Sequence, residues 1–383
     1  MTYETGKKII DLLFKMYSED KFNMPINKQI IAPVIFFMGG EPLLNVPLIQ
    51  QLSDYFVERC EKMKHPWLEH YMFRVCTNGT LYFQENFQQY LRKYKDHIHL
   101  AISLDGTMNA NNACRFDQNK NSDFETTLRA VKAYKEFRGF PPQINMVIAP
   151  QNLPYLGQVY DFLLDIGCTD YGIGPIADYK WTIEEAQEYY KQLKFIADRA
   201  IQRPEILFEL LDPRFYYPLT EQSPVYTSNC TGMNVHGLVF TPDGKAYTCL
   251  RFSPCTLSTD CSRFCIGSAD GLYNTPEIIK NTTELFNMKR KVHYDEECLN
   301  CPISAGCNKC AAIIYQDSGG FIDTCKNGCW MHRAASLAAA YYWNMVCLLT
   351  EKEDRVLIRL PKDLALQIIS EDEYNYLVAL SKE

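Results

Sequence analysis

Residues 34–44 read VIFFMGGEPLL, a short apolar run that ends in two glycines, a glutamate and a proline. The apolar run predicts a β-strand. Gly39 and Gly40 predict a tight connection in which the backbone can approach a ligand closely. Glu41 beside them offers a carboxylate that can take an ammonium group. Taken alone, the stretch fits an ordinary strand-to-helix loop equally well.

Further strand-like runs follow in the first two hundred residues, and helical patterns separate them. The strand-like runs are Phe73–Cys76, His99–Leu104, Ile144–Ala149 and Tyr171–Ile176, and the helical patterns include Leu48–Lys62, Phe124–Phe137, Leu153–Ile166 and Glu184–Ile201. This alternation predicts βαβ units and a parallel sheet. The chain opens with an amphipathic helical pattern and meets its first strand near Val34. We therefore expect a barrel that lacks its first strand and leaves an exposed edge on the Val34 strand.

Polar residues stand where the next two strand-like runs end. Thr-Asn-Gly occupies 77–79, Ser-Leu-Asp-Gly occupies 103–106, and Arg115 follows in a polar stretch. Barrel enzymes place their sites at the carboxyl ends of successive parallel strands. These positions therefore predict one site together with the glycine loop.

The composition predicts a folded chain with a large core, because 47% of its 383 residues are hydrophobic and 22% are charged. The net charge of −7 lacks the basic excess that marks nucleic-acid-binding surfaces. We see no secretory signal, and the weakly polar stretch Ala334–Leu349 is too short to span a bilayer. We expect a soluble, cytoplasmic protein with neither a nucleic-acid nor a membrane partner.

The cysteines are concentrated in the second half, where 12 of the 16 lie at or after Cys230. Cytosolic thiols stay reduced, so clustered cysteines in such a chain indicate metal binding rather than disulfides. The paired Cys-x2-Cys units at 298–301 and 307–310 suit tetrahedral zinc, and two zinc sites are one interpretation.

In order and spacing, FFMGGEPLL at 36–44, TNG, SLDG, Arg115 and Asn152 resemble the radical S-adenosylmethionine superfamily, over nearly the whole chain. The resemblance implies an α/β fold, an incomplete (β/α)6 partial TIM barrel that binds S-adenosylmethionine. In that family the GGEP loop holds the amino group of the methionine moiety, and the serine and arginine lie near its carboxylate and ribose. The implied cofactor-binding residues are Gly39, Gly40, Glu41, Asn78, Ser103 and Arg115.

One element of the family is missing. Its radical chemistry needs a Cys-x3-Cys-x2-Cys loop before GGEP, which holds an iron–sulfur cluster with one open iron. No cysteine precedes Gly39, and the partial matches at Cys261 and Cys325 lie in the other half of the chain. The opening Met1-Thr2-Tyr3-Glu4 is similar to the segment that follows this loop in the family. We expect a miscalled start or a truncated gene rather than an evolved loss, and no reductive cleavage of S-adenosylmethionine by the chain as given.

The cysteine order in the second half resembles the SPASM domain, which binds two auxiliary [4Fe-4S] clusters. The order is Cys230-x13-Gly244-x4-Cys249, then Cys298-x2-Cys301-x5-Cys307-x2-Cys310, then Cys325-x3-Cys329. The family has three residues where two separate Cys307 from Cys310. The resemblance assigns Cys230, Cys249 and Cys310 to the first cluster, and Cys298, Cys301, Cys307 and Cys329 to the second, with Cys329 fitting better than Cys325.

Three further cysteines, Cys255, Cys261 and Cys265, have no counterpart in that order. One of them can be the fourth ligand of the first cluster. The alternatives are a third metal site and reduced thiols without a metal. The resemblance divides the chain into a radical core over 1–202, a connection over 203–229, the auxiliary domain over 230–349 and an extension over 350–383.

The residue after Cys249 separates branches of the family. Anaerobic sulfatase maturases resemble this chain but have an aspartate there, thought to act as a base, whereas Leu250 cannot take a proton. Cys249-Leu250-Arg251-Phe252 and Cys310-Ala311-Ala312 are more similar to maturases that form thioether crosslinks in cysteine-rich ribosomal peptides. There an open iron of an auxiliary cluster can bind a substrate thiolate. We expect a peptide maturase served by flavodoxin or ferredoxin. The alternatives are a sulfatase-maturase-like enzyme and a non-catalytic iron–sulfur protein that binds a peptide.

Overall fold

The computed structural model describes residues 1–18, 32–116, 119–203, 207–212, 238–273, 275–276, 295–307, 310–320, 326–352 and 355–381. Within them, a parallel sheet and its helices come first along the chain. A small antiparallel sheet and a helical C-terminal part follow.

Five strands form the parallel sheet, in the same order as they occur along the chain. They are β1 (Val34–Phe37), β2 (Met72–Thr77), β3 (Ile98–Ser103), β4 (Gln143–Ile148) and β5 (Tyr171–Pro175). Each agrees with a predicted strand to within one residue at either end. Among the described residues β1 and β5 each pair with one neighbour, so this sheet is open and no closed barrel forms.

Helices connect the strands, as the alternation predicts. They are α1 (Tyr3–Ser18), α2 (Val46–Met63), α3 (Glu85–Lys93), α4 (Met108–Cys114), α5 (Phe124–Arg138), α6 (Val159–Ile166) and α7 (Ile183–Gln202). The predicted helix from Leu153 begins as a 3₁₀ turn over Leu153–Gln158 before α6. Thr182 and Glu185 begin α7 with a capping box, in which each side chain accepts a hydrogen bond from the other residue's backbone N–H.

The two faces of the parallel sheet differ. In β2 the side chains of Phe73, Val75 and Thr77 are buried in the core with the helices, whereas those of Arg74 and Cys76 are half-buried. Successive side chains of a strand point to opposite faces, which explains the alternation. The sequence suggests strands that are apolar on both faces, and the structure differs: the face opposite the helices is partly polar and partly exposed. We call it the open face of the sheet.

The edge formed by β1 is exposed, which confirms the expectation for the Val34 strand. The Val34 side chain is 60% exposed, and Phe36 and Met38 are also exposed. The Phe36 ring lies 5.2 Å from the guanidinium carbon of Arg74 on the neighbouring strand. An apolar, unpaired strand edge is a site where another chain can add a strand.

The second sheet is antiparallel, with four short strands in the order of the chain. They are β6 (Val239–Phe240), β7 (Lys245–Tyr247), β8 (Cys265–Ser268) and β9 (Gly271–Leu272). In the sequence, His236–Phe240 and Lys245–Cys249 flank the turn residues Pro242-Asp243-Gly244, which predicts a hairpin. β6 and β7 form this hairpin, and residues 236–237 lie outside the described residues. Gly244 closes the turn at φ +82°, in the left-handed region that favours glycine.

Helices dominate the remainder. They are α8 (Glu296–Leu299), α9 (Ala311–Ser318), α10 (Cys329–Leu349), α11 (Lys362–Ala365) and α12 (Glu371–Leu380). The sequence predicts a helix over Arg333–Leu349, and α10 begins four residues earlier, at Cys329. α10 packs along α7, where buried alanines at 334 and 338 permit close approach, and Tyr341 donates a hydrogen bond to Asp198 over 2.5 Å.

The apolar alternation over Arg355–Leu360 predicts a final strand, and this prediction is wrong, because the segment is irregular. The buried side chain of Asn344 in α10 holds it. Asn344 Oδ1 accepts from the Val356 N–H at 2.7 Å, and its Nδ2 donates to the Val356 carbonyl at 2.9 Å. One side chain thus replaces the strand partner that the apolar alternation predicts.

In the parts of the chain that the structure describes, no helix combines the length and hydrophobicity that a membrane span requires.

Candidate cofactor site and cysteine groups

The glycine loop follows β1 at the carboxyl edge of the parallel sheet, and Glu41 fastens it to the end of β2. One carboxylate oxygen, Oε1, accepts from the Thr77 hydroxyl at 2.6 Å and from the Leu43 N–H at 3.1 Å. The other, Oε2, accepts from the Asn78 N–H at 2.8 Å. Glu41 thus positions the loop, in addition to any ligand contact that the sequence predicts for it.

Gly39 and Gly40 are exposed, and a Cβ placed on either would meet no other atom within 4 Å. Neither has a positive φ. Packing and backbone conformation therefore do not require glycine at these positions. Their missing side chains leave open space against the backbone, and ligand binding there stays a prediction.

Asn78 turns its side chain back onto its own loop. Its Oδ1 accepts from the Thr80 N–H at 2.9 Å and from the Thr80 hydroxyl at 2.7 Å. The Asn78 N–H is the group that faces Glu41. The side chain predicted to contact the cofactor is thus engaged in shaping the turn after β2.

The end of β3 carries a buried ion pair. Arg115 donates to Asp105 in a two-pronged arrangement, with its Nε at 2.7 Å from Oδ2 and its Nη2 at 3.1 Å from Oδ1. Asp105 Oδ1 also accepts from the Val147 N–H on β4 at 3.0 Å. Asp105 therefore fixes Arg115 at the carboxyl edge of the sheet. Burial, with a smaller effect from Asp105, raises the pKa of the adjacent Cys114 thiol, which favours its protonated form.

Ser103 and Asn152 complete the predicted set on β3 and after β4. Ser103 ends β3, is half-buried, and lies opposite Asn145 in the strand register. Asn152 is buried, accepts from the Ala149 N–H at 2.8 Å and donates to the Val147 carbonyl at 2.8 Å. Asn152 thus closes the turn after β4.

Four cysteines of the second half share one small apolar core. Cys249, Cys261, Cys265 and Cys310 are half-buried and pack against a core that contains Tyr247, Phe252, Leu257 and Phe264. We call these four cysteines the β7 thiol group. Burial, and then the nearby Cys261 and Cys265 side chains, raise the pKa of the Tyr247 hydroxyl. The group contains two of the three cysteines predicted for the first auxiliary cluster, while Cys230 lies outside the described residues.

Of the cysteines predicted for the second cluster, Cys298 lies in α8, Cys301 and Cys307 follow it along the chain, and Cys329 begins α10. We call Cys298, Cys301, Cys307 and Cys329 the α8 thiol group. Cys298 is buried, and Cys301 N–H donates to its carbonyl at 3.4 Å. The first residue of α10, Cys329, donates its N–H to the Lys326 carbonyl at 3.0 Å. Cys325, the alternative to Cys329, lies outside the described residues.

Lys326 connects the two parts of the α8 thiol group. Its ammonium lies 2.9 Å from Cys298 Sγ and 2.8 Å from Asp295 Oδ2. Burial alone lowers the pKa of Lys326, but hydrogen bonds to Asp295 and Cys298 outweigh it and raise the pKa overall. The Lys326 ammonium is thus fixed beside the Cys298 sulfur, which is one of the predicted ligands.

No disulfide joins any two of the described cysteines. Among the described residues, no three His, Cys, Asp or Glu side chains are close enough together to hold a single metal ion. Four thiols around one core nevertheless provide the donor type that iron–sulfur clusters use, so the β7 thiol group fits such a cluster by donor chemistry.

Sequence reasoning missed two features of the site, the orienting role of Asp105 and the placement of Cys261 and Cys265 beside Cys249. Two opposite charges ten residues apart, such as Asp105 and Arg115, do not by themselves predict an ion pair. The register Tyr247↔Cys265 becomes visible only when β7 and β8 pair. Both features depend on tertiary contacts that no local pattern encodes.

Comparison with known proteins supports the fold. The solved structure of native anSMEcpe with bound AdoMet matches with a TM-score of 0.62 and 15% identity, covering 92% of this chain and 91% of that chain. The same protein with bound AdoMet and Cp18Cys peptide matches with a TM-score of 0.61 and 16% identity, covering 92% of each chain. The chain thus shares the α/β fold of these structures, with an open five-stranded parallel sheet, which confirms the predicted incomplete barrel.

Sequence comparison covers a smaller part of the chain. An uncharacterized protein of Methanocaldococcus jannaschii is 28% identical over 167 residues, which are 44% of this chain and 50% of that protein. The chain thus spans about half the length of this curated relative. No protein-family model matches the chain.

Proposed function

We propose that the chain provides the S-adenosylmethionine-binding and auxiliary iron–sulfur parts of a radical peptide maturase. The main support for this proposal is the arrangement of residues at the carboxyl edge of the parallel sheet. There an open glycine loop fastened by Glu41 and an arginine oriented by Asp105 stand on a fold that binds AdoMet in anSMEcpe.

The charges at this edge match the ends of a methionine moiety. Glu41 receives three protein donors, and a carboxylate has about four lone-pair sites, so one acceptor position stays available for an ammonium group. Arg115 uses two N–H groups on Asp105, and a guanidinium has about five. Its others can bind a carboxylate or a ribose hydroxyl.

The two thiol groups would hold the auxiliary [4Fe-4S] clusters. The predicted ligands are Cys230, Cys249 and Cys310 for the first, and Cys298, Cys301, Cys307 and Cys329 for the second. When bound, such clusters supply one-electron transfer that side chains cannot perform. A cytoplasmic flavodoxin or ferredoxin is the proposed electron donor.

The proposed substrate is a cysteine-rich ribosomal peptide that receives a thioether crosslink. Leu250 follows Cys249 in a 3₁₀ turn and provides no base, which argues against oxidation of a sulfatase side chain. The open face of the sheet offers room for a peptide, because Gly172 and Gly174 of β5 lack side chains opposite Asn145 and Val147. The likeness to peptide-bound anSMEcpe is compatible with this.

A sulfatase-maturase-like activity is the second candidate, and the likeness to anSMEcpe favours it. Leu250 is the specific observation against it. A non-catalytic iron–sulfur protein that binds a peptide is the third.

Co-expression with candidate peptides tests the proposal. The chain is extended by a Cys-x3-Cys-x2-Cys segment and expressed with the short reading frames beside its gene, and the peptides are weighed. We expect a loss of two hydrogens and protection of one thiol from alkylation, because one S–H and one C–H bond break as the sulfur–carbon bond forms. S-adenosylmethionine would take the carbon's hydrogen atom and leave as 5′-deoxyadenosine and methionine, and an iron–sulfur cluster would accept the second electron while the thiol proton passes to solvent. The 383-residue chain alone is the control, and we expect it to form no 5′-deoxyadenosine with dithionite.

Other outcomes separate the candidates. Unchanged cysteine peptides together with a modified sulfatase serine or cysteine would identify the second candidate. If the peptides bind to the extended chain but are recovered unmodified, and no 5′-deoxyadenosine forms, the third candidate is identified.

A further inference from the structure

Asn145 is a polar residue on the open face of the sheet that neither the proposed cofactor site nor the thiol groups use. In the strand register it lies between Ser103 of β3 and Gly172 of β5. Residues opposite each other on neighbouring strands share one face of the sheet, because side chains alternate along every strand. Asn145 is half-buried there, so part of its side chain remains accessible to a ligand.

The side-chain amide of Asn145 has a fixed orientation. Its Nδ2 donates to Cys76 Sγ on β2 at 3.5 Å. The contact crosses β3, where Ala101 lies opposite Cys76 and presents only a methyl group. With the nitrogen turned toward β2, the amide oxygen faces β5, because a Cβ placed on Gly172 would lie 3.6 Å from Asn145 Oδ1. The amide thus presents its acceptor to the space above β5.

This acceptor faces open space. No described residue donates a hydrogen bond to Asn145 Oδ1. Gly172 and Gly174 carry no side chains, and a Cβ placed on Gly174 would meet no other atom within 4 Å. A second main chain can approach closely where side chains are missing, and every residue except proline brings a main-chain N–H that needs an acceptor. An extended peptide backbone therefore fits both the acceptor and the space beside it.

The position of the acceptor favours a peptide over S-adenosylmethionine. The glycine loop follows β1, and Arg115 is fixed beyond the end of β3, so the proposed cofactor would span β1 to β3. Neighbouring strands lie about 4.8 Å apart, and Asn145 Oδ1 faces β5, the last strand of the sheet. The acceptor thus lies on the far side of Ser103 from the glycine loop, where a second ligand would lie beside the cofactor.

We propose that Asn145 positions the peptide substrate by accepting a hydrogen bond from one of its main-chain N–H groups, above Gly172. Cys76 acts through Asn145, because its sulfur holds the amide in this orientation. The inference rests on the proposed function and adds how the substrate is recognised, which is through its backbone at this point. A proline at the contacted position of the peptide has no N–H to donate and would bind more weakly.

The test uses the full chain and the peptides encoded by the short reading frames beside its gene, labelled with fluorescein for anisotropy titrations. The peptide that binds most tightly is then made with an N-methyl group at each main-chain nitrogen in turn. We expect one N-methyl position to weaken binding about tenfold, and Asn145→Ala to weaken binding of the unmethylated peptide by a similar factor. In Asn145→Ala that N-methyl group should have no further effect, because both changes remove the same hydrogen bond.

Two further variants change the surroundings of the amide. Gly172→Val fills the space beside Asn145 Oδ1 and should weaken peptide binding at least as much. Gln143→Ala is the matched control, because Gln143 lies two residues earlier on the same face but already bonds Arg74 and Asp170. Its peptide binding should not change. Urea unfolding shows that each variant folds, and calorimetric titration should give the same affinity for S-adenosylmethionine in all of them.

Several results would overturn the inference. They are peptide binding that is unchanged in Asn145→Ala or Gly172→Val, binding that is equally weakened in Gln143→Ala, and N-methyl effects that persist in Asn145→Ala. Loss of S-adenosylmethionine affinity without loss of peptide affinity would overturn it too, as would binding of none of the peptides to the unsubstituted chain. Failure of the proposed function is distinguishable, because a peptide would then bind in a manner that depends on Asn145 while the extended chain leaves its mass unchanged.

Discussion

Asp105 receives three hydrogen bonds while its side chain is only 3% exposed, two from Arg115 and one from the Val147 N–H. In such a pair, each charged group compensates the charge of the other. Removing one member of such a pair leaves an uncompensated charge, whereas removing an exposed pair changes little.

We therefore expect Asp105→Asn to lower the free energy of unfolding by about 3 kcal/mol. The measurement is urea unfolding at pH 7. Asp270→Asn is the matched control, because the Lys8–Asp270 pair has the same 2.7 Å separation but its side chains are 58% and 73% exposed. The control should unfold like the unsubstituted chain. Equal effects of the two substitutions would contradict the structural role given to Asp105.

A substitution at Gly40 is expected to change ligand binding without changing the free energy of unfolding. A Cβ there has open space and the backbone has no positive φ, so Gly40→Val should change the free energy of unfolding by less than about 0.5 kcal/mol. If the loop receives S-adenosylmethionine, the added methyls should weaken binding by about tenfold, or 1.4 kcal/mol. Calorimetric titration with S-adenosylmethionine measures this.

Gly320→Val is the control for the glycine loop. Gly320 also has open space and no positive φ, but it lies after α9 in the C-terminal half. Unchanged binding in both variants would place the cofactor elsewhere.

The β1 strand forms one edge of the parallel sheet. It pairs with β2 alone among the described strands, and its Val34 side chain points away from the core. Unpaired apolar edges promote association between chains, and a lysine at such an edge prevents it.

We expect Val34→Lys to reduce concentration-dependent association without loss of stability. Static light scattering over a range of protein concentrations gives the result. Leu44→Lys is the control, since Leu44 is 76% exposed but belongs to the 3₁₀ turn over Pro42–Asn45 rather than to the strand edge. A larger reduction in the control than in Val34→Lys would show that surface hydrophobicity, not the edge, drives association.

Elements with strong periodicity were predictable from the sequence, and elements held by single side chains were not. The five parallel strands and the helix at Ile183–Gln202 follow from apolar spacing and, for the helix, a capping box. The segment Arg355–Leu360 alternates like a strand, but the amide of Asn344 binds its backbone instead.

The same distinction applies to the candidate site. The positions of the glycine loop, Ser103 and Arg115 at strand ends follow from the parallel sheet, which the sequence predicts. That Glu41 would bind Thr77 and the Asn78 N–H, and that Asn78 would turn its side chain onto Thr80, required the tertiary contacts themselves.

Over the whole molecule, the two halves perform separate parts of the proposed chemistry. The parallel sheet presents the glycine loop and the Asp105–Arg115 pair at one edge, and the second half packs the β7 thiol group against one small core. α1 contacts the second half directly, where Lys8 binds Asp270 and the Thr5 methyl lies near the turn at Gly244.

Metal content decides whether the thiol groups hold iron–sulfur clusters, as proposed, or zinc. The full chain is purified anaerobically and reconstituted with iron and sulfide, and its iron, sulfide and zinc are counted beside its visible spectrum. We predict about eight irons and eight sulfides per chain, with broad absorption that dithionite bleaches. About two zincs per chain, with no visible absorption after reconstitution, would show that the thiol groups hold zinc instead of iron–sulfur clusters.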